Sequence, residues 1–229
     1  VRANLAKVYN HLNEPRKSIL QSNLLLEINP NNFEAQMEIA FSYYLLGEYA
    51  KSYALQLELL KNPKISENVK KRIFFNMGTF EMEAGDFKSG LYKMIMGGKE
   101  IGLWTPFKVP FPKWDGKHTD KTILVFAEGG IGDEIVNIRF CKEIEARGMK
   151  YIWVGHRKEN NDLFKRNGFT VIDRSVNNLD PFTEYVYAEA MTLPIIMEIE
   201  KENFWKGPYL KPSEEKLKEW KEYLPEKFI

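Results

Sequence analysis

The chain has a single cysteine, Cys141, in 229 residues, so no internal disulfide can form. No Cys/His cluster has metal-ligand spacing, and no metal site is expected. Uninterrupted apolar runs never approach the roughly 18 residues that a membrane helix needs, so no membrane span is expected. A surplus of charge is also missing. Lys and Arg total 33 against 32 Asp and Glu, a formal net charge of +1, which gives no electrostatic case for nucleic acid. The opening Val1-Arg2-Ala3-Asn4 is neither a Met start nor a signal peptide. It points to a processed or truncated N-terminus, and the single thiol suits a reducing, cytoplasmic setting.

What is present is internal repetition. Ala6 and Ala40, Tyr9 and Tyr43, Asn13 and Gly47, and Ser18 and Ser52 recur at one offset of about 34 residues, the length of a helix–turn–helix unit. Asn29-Pro30-Asn31-Asn32 and Asn62-Pro63 punctuate the ends of the first two units, and Met77-Gly78, Glu81, Gly85-Asp86-Phe87 and Gly90 mark a third. Ala6, Ala40 and Gly78 are small enough for close helix approach. Gly47 and Gly85 fit a tight turn, where positive φ is cheap for glycine. Pro30 and Pro63 end helices. Residues 1–103 thus read as about three units of a helical-repeat array and resemble the tetratricopeptide repeat. Stacked units of that kind form a groove, here expected to present Glu34, Met37, Glu38, Phe41, Tyr44 and Leu45. The groove would take a protein or a glycan acceptor, or Phe41, Tyr44 and Leu45 would pack on the neighbouring unit or the next domain, the more conservative reading.

Residues 104–121 hold Pro106, Pro110 and Pro112 among Trp104, Phe107, Phe111 and Trp114. Proline blocks helix and central strand alike, so an extended hinge is expected. Its aromatics are expected to plug a seam between the two halves, with sugar stacking by Trp114 as the alternative.

Residues 122–229 alternate strand and helix patterns. Thr122–Ala127 is a continuous apolar run of the kind buried on both faces of a parallel sheet. The glycine turn 128–134 follows, then a helix from about Asp133 to Ala146 expected to bury Ile135, Val136, Phe140 and Ile144. Strands are expected at Tyr151–Val154, Thr170–Ile172 and Glu184–Ala188, with helices at Lys158–Asn167 and Ser213–Tyr223. The fold class is therefore α plus α/β, a helical array followed by a Rossmann-like parallel sheet with right-handed crossovers.

The glycine turn carries the chemistry. Strand, glycine loop and helix N-terminus together present backbone amides to a ligand. The dinucleotide pattern G-x-G-x-x-G fails, however, because Ile135 stands at the third glycine position when counting starts at Gly130. Asp133 and Glu134 would repel a pyrophosphate. A neutral, hydroxyl-bearing ligand fits better, with Asp133 either its proton acceptor or simply the helix cap. Glu128 and His156 end the first two strands, on the edge where open α/β sheets bind ligands. Arg139 could contact an anionic group, or pair with Glu143 one helical turn on. His11 and His118 are expected at the surface, and Cys141 in a packed helix.

Trp114-Asp115-Gly116, the stretch Ile123–Ile135 with Glu128-Gly129-Gly130-Ile131-Gly132-Asp133, and Ile138-Arg139-Phe140 resemble the N-terminal Rossmann-like half of bacterial repeat-linked glycosyltransferases. These are relatives of the heptosyltransferases with the two-domain GT-B architecture. Met191–Pro194 and Gly207–Leu210 fall where that family has short motifs, so the similarity spans nearly the whole chain. The resemblance implies Asp133 as catalytic base and Glu128, Gly130, Gly132, Arg139 and His156 as acceptor-binding residues. The family's turn glutamine is Gly129 here. It also implies a nucleotide-sugar donor held by a second domain in the complete protein, so that this chain has no cofactor of its own and is inactive alone. A non-catalytic interaction module with a vestigial α/β domain is the competing expectation.

Overall fold

A computed structural model of the chain describes residues 2–104, 107–174, 176 and 179–223. Two compact units divide at residue 106.

The first unit is six helices in three hairpins: α1 (Arg2–His11) with α2 (Pro15–Ile28), α3 (Phe33–Leu45) with α4 (Tyr49–Leu60), and α5 (Glu67–Glu83) with α6 (Phe87–Glu100). All three turns are built alike. Each has one residue of positive φ, Asn13 at 56°, Gly47 at 74° and Gly85 at 93°, and asparagine is the residue besides glycine that tolerates this region best. The next amide reaches back to a carbonyl five residues earlier: Glu14 N–H to Tyr9, Glu48 N–H to Tyr43 and Asp86 N–H to Glu81. That bond closes a helix C-terminus in a Schellman-type cap. Asn32, Ser66 and Asp86 cap the N-termini of α3, α5 and α6 with their side chains, satisfying amides the helix itself cannot.

The hairpin crossings follow the repeat. Ala6 and Ser18 are fully buried, as are Ala40 and Ser52, and the Ser52 hydroxyl donates to the Ala40 carbonyl. In the third hairpin, Gly78 and Gly90 let the backbones touch. A Cβ on Gly78 would stand 2.4 Å from the Met94 nitrogen, and one on Gly90 2.7 Å from the Gly78 carbonyl oxygen.

The second unit centres on a four-stranded parallel sheet in the order β3-β2-β1-β4, with β1 at Thr122–Phe126, β2 at Tyr151–Gly155, β3 at Val171–Asp173 and β4 at Tyr185–Glu189. Helices α7 (Ile131–Ala146) and α8 (Lys158–Arg166) form the β1–β2 and β2–β3 connections. With the short helix α9 (Leu193–Ile196), α7 and α8 cover one face through Ile138, Phe140, Ile144, Phe164 and Leu193, against Ile123, Val125 and Trp153. On the other face Leu124, Phe126 and Val154 meet Phe107, Val109 and Phe111. Helix α10 (Glu214–Lys221) follows, with the Ser213 side chain as N-cap.

Two expectations need revision. The aromatics of 104–121 pack within their own units. Trp104 lies against Phe75 and Gly98 in the helical unit. Phe107 and Phe111 meet Phe126 and Tyr185 on the sheet, and Trp114 is buried in the α/β core with its indole N–H donating to the Lys117 carbonyl. The extended segment also joins the sheet, since Trp114 N–H donates to the Tyr187 carbonyl and Tyr187 N–H to the Pro112 carbonyl. A proline is tolerated there because its carbonyl does the bonding. Val136, in turn, is half exposed. The inward stripe of α7 runs instead through Glu134, Asn137, Ile138 and Cys141, so a buried acid occupies a core-facing position.

Candidate functional site: the carboxyl edge of the sheet

In a sheet ordered 3-2-1-4, chain connections leave β1 toward one side while β4 lies on the other. The crevice beyond the carboxyl ends of β1 and β4 is the switch point where open α/β sheets bind ligands. Glu128, two residues past β1 and buried, accepts the Met191 N–H just past β4 at 3.1 Å. The two rims of the switch point are thereby tied together. Glu189, at the end of β4, is also buried and takes an ion pair from Lys113 at 2.8 Å.

The glycine turn is held from two sides. Gly129 has φ +74°, and a Cβ there would stand 2.3 Å from an Asp133 oxygen, so another residue would be strained and would displace the Asp133 side chain. Asp133 Oδ2 accepts the Gly130 N–H at 2.7 Å, the N3 half of a capping box. From the β2 side, Arg157 donates to the Gly129 carbonyl at 3.3 Å and Asn160 to the Ile131 carbonyl at 3.4 Å. Around Gly132 nothing lies within 4 Å of a would-be Cβ, so the turn is open on that side.

Next to Asp133 the chain turns Glu134 inward, fully buried. One of its oxygens, Oε1, faces His156 Nδ1 and Arg157 Nε, each at 3.3 Å. Burial pushes the Glu134 carboxyl above its ordinary value, while Asn160 and Arg157 draw it back. Burial, with Arg157 and Arg174 adding their positive charge, holds the His156 imidazole below its usual value.

Of the residues expected at the site, Glu128, Gly130, Gly132, Asp133 and His156 are therefore brought to one edge. Arg139 is not brought to it by its contacts. Its guanidinium donates to the Val136 and Phe204 carbonyls and to the Tyr209 hydroxyl, and it lies over the Tyr209 ring at 4.8 Å. The expected Arg139–Glu143 pair does not form, because Glu143 is taken by Lys206 and Arg147. Arg139 pins the segment 204–209 to α7 and lines a cavity of about 220 Å³ with Phe140, Phe204 and Trp205. Glu134, Arg157 and Asn160 were missed as site residues. The polar run His156–Asn161, directly after a buried strand, was the available signal.

In the helical unit the expected groove residues divide. Met37 and Glu38 are buried. Glu34 is bound by Arg72 at 3.0 Å and Lys7 at 3.4 Å. Phe41 stacks on Tyr44, which packs against Phe80 and donates its hydroxyl to Glu83. A concavity beside them is lined by Lys7, Asn10, His11, Glu38, Phe41 and Arg72, among others. Cys141 is fully buried, which pushes its thiol well up and makes it unreactive. Among the described residues no group of His, Cys, Asp and Glu could hold a metal ion, and no helix is long and apolar enough to cross a membrane.

No family profile matches this chain, and no curated protein matches it.

Proposed function

We propose that the second unit is the acceptor-binding, Rossmann-like half of a GT-B-type glycosyltransferase, and that the first is a tetratricopeptide array serving it. In the complete protein a nucleotide-activated sugar supplies the donor. The observation that carries this reading is the open glycine turn at the sheet's switch point. It is backed by carboxylates and a histidine rather than by phosphate-binding cations alone. A hydroxyl-bearing ligand resting over Gly130 and Gly132 meets two proton acceptors, Asp133 and His156, and carboxylates able to bond sugar hydroxyls. The uniform build of the three helical hairpins supports the repeat reading, and the concavity along Lys7, Phe41 and Arg72 supports a groove that recruits a protein or glycan acceptor.

One observation favours a second reading. Asp133 already closes the turn as a cap, which is all that a vestigial α/β domain beside an interaction module would need of it. Incubating the complete protein with nucleotide sugars and oligosaccharide acceptors, and following transfer by mass, separates the two. Glycosylated product supports the enzyme. Its absence across donor classes, with a partner captured through the helical concavity, supports the module.

A further inference from the structure

Glu134 is fully buried, yet among the described residues its carboxylate oxygens make no hydrogen bond of good geometry, with Asn160, Arg157 and His156 as their polar neighbours. A buried acid kept for structure alone is normally saturated with donors, since an unmet polar group costs about 1–3 kcal/mol, and more if charged. Glu134 is instead left facing two basic groups at 3.3 Å, His156 Nδ1 and Arg157 Nε. Such an arrangement fits a group whose bonding completes when charge changes at the site.

We propose that Glu134 is a positioning residue for His156, and that His156 takes the proton of the acceptor hydroxyl. This rests on the glycosyl-transfer reading above. His156 stands just past the carboxyl end of β2. Its Nδ1 is buried toward Glu134, while a fifth of the side chain stays exposed. A carboxylate opposite Nδ1 favours the tautomer with the proton on Nδ1 and the lone pair on Nε2. In the step, the hydroxyl proton passes to Nε2 as the acceptor oxygen forms its bond to the anomeric carbon of the nucleotide sugar. The bond from that carbon to the leaving phosphate oxygen breaks, and its electron pair departs with the nucleoside diphosphate.

The imidazolium so formed is stabilised by Glu134 on α7, against Arg157 on its own side and Arg174 after β3, the charged groups that act on the ring. Burial, with those arginines, holds the imidazole below its usual value and so favours its neutral, proton-accepting form. Asp133 is less suited, because one of its oxygens is committed to the Gly130 N–H.

The chain has three histidines, and His11 and His118 are exposed, so ¹⁵N imidazole spectra of the intact chain are readily assigned. His156 should show the Nδ1–H tautomer and titrate below the ordinary imidazole value. Glu134→Gln should lower its midpoint further, and Glu134→Asp should restore part of the shift. Amide spectra would verify that each variant is folded. In transfer assays on the complete protein, His156→Gln should lower kcat by about 10²–10⁴-fold with little change in KM. Glu134→Gln should move the acid limb of the pH–rate profile by the same amount as the imidazole midpoint, which a merely structural role would not do. An Nε2–H tautomer, a midpoint unmoved by Glu134→Gln, or full kcat in folded His156→Gln overturns the proposal. If the wild type transfers no sugar, the glycosyl-transfer reading falls and the proton-transfer role with it. The tautomer and midpoint judge the Glu134–His156 pairing separately.

Discussion

Single side chains decide the geometry of the turn. Asp133 holds the Gly130 amide, and an asparagine oxygen can accept the same bond. Asp133→Asn should therefore leave the thermal midpoint nearly unchanged, whereas Asp133→Ala should cost about 1 kcal/mol; urea unfolding of both variants checks this. Glu134 gives a pH signature. Its folded carboxyl titrates above the ordinary 4.5, so just above that value the folded state keeps a proton that the unfolded chain has released. Glu134's contribution to stability is then complete below pH 4.5 and declines as pH rises through the folded value. Glu134→Gln should gain stability relative to wild type across that window, and parallel unfolding curves at each pH would contradict the assignment. The cap at Asp133 was legible in the sequence because it is local. The Glu134–His156 contact was not, because it joins a helix to the end of the next strand. The Arg139–Glu143 expectation failed for a related reason, since helical spacing permits the pair but Lys206, far along the chain, competes for the acid.

At the scale of elements, periodicity carried most of the information. Both halves of the α/β layer were readable from apolar runs and glycine stops, and the strands fall within a residue or so of their expected positions. Two hairpin turns were readable from Gly47 and Gly85 because positive φ restricts the residues allowed there, while Asn13 was marked only by its place in the repeat. The segment 107–114 was harder. Its prolines announced extended chain, but nothing local shows that Pro112 and Trp114 bond Tyr187 at the sheet edge. Two substitutions test this packing. Trp114→Ala removes a core indole and should destabilise the α/β unit by about 3–5 kcal/mol, visible as lost cooperativity or a lowered unfolding midpoint. Gly78→Ala should also destabilise, although alanine is the better helix former by about 1 kcal/mol. Its methyl would meet the α6 backbone at 2.4 Å, and neither backbone has room to yield. A more stable Gly78→Ala would mean that α5 and α6 do not cross there.

Across the whole molecule, two units each carry their own core, and one edge of the second brings Asp133, Glu134, His156 and Arg157 together. Sequence spacing could place Glu128, Asp133 and His156 at strand ends, but the order of the strands, which makes β1 and β4 neighbours, is a property of the folded chain. On the proposed glycosyl-transfer reading, this edge, over the glycine turn, receives the acceptor. Gly132 offers the most direct test. It is the second residue of α7, and an added methyl would touch no protein atom within 4 Å. Gly132→Ala should leave the unfolding midpoint unchanged or raise it, by up to about 1 kcal/mol. In the complete protein the methyl should raise the acceptor KM by about tenfold or more, a loss of about 1.4 kcal/mol of binding. Unchanged transfer kinetics in a folded Gly132→Ala protein would contradict the account and place the acceptor elsewhere.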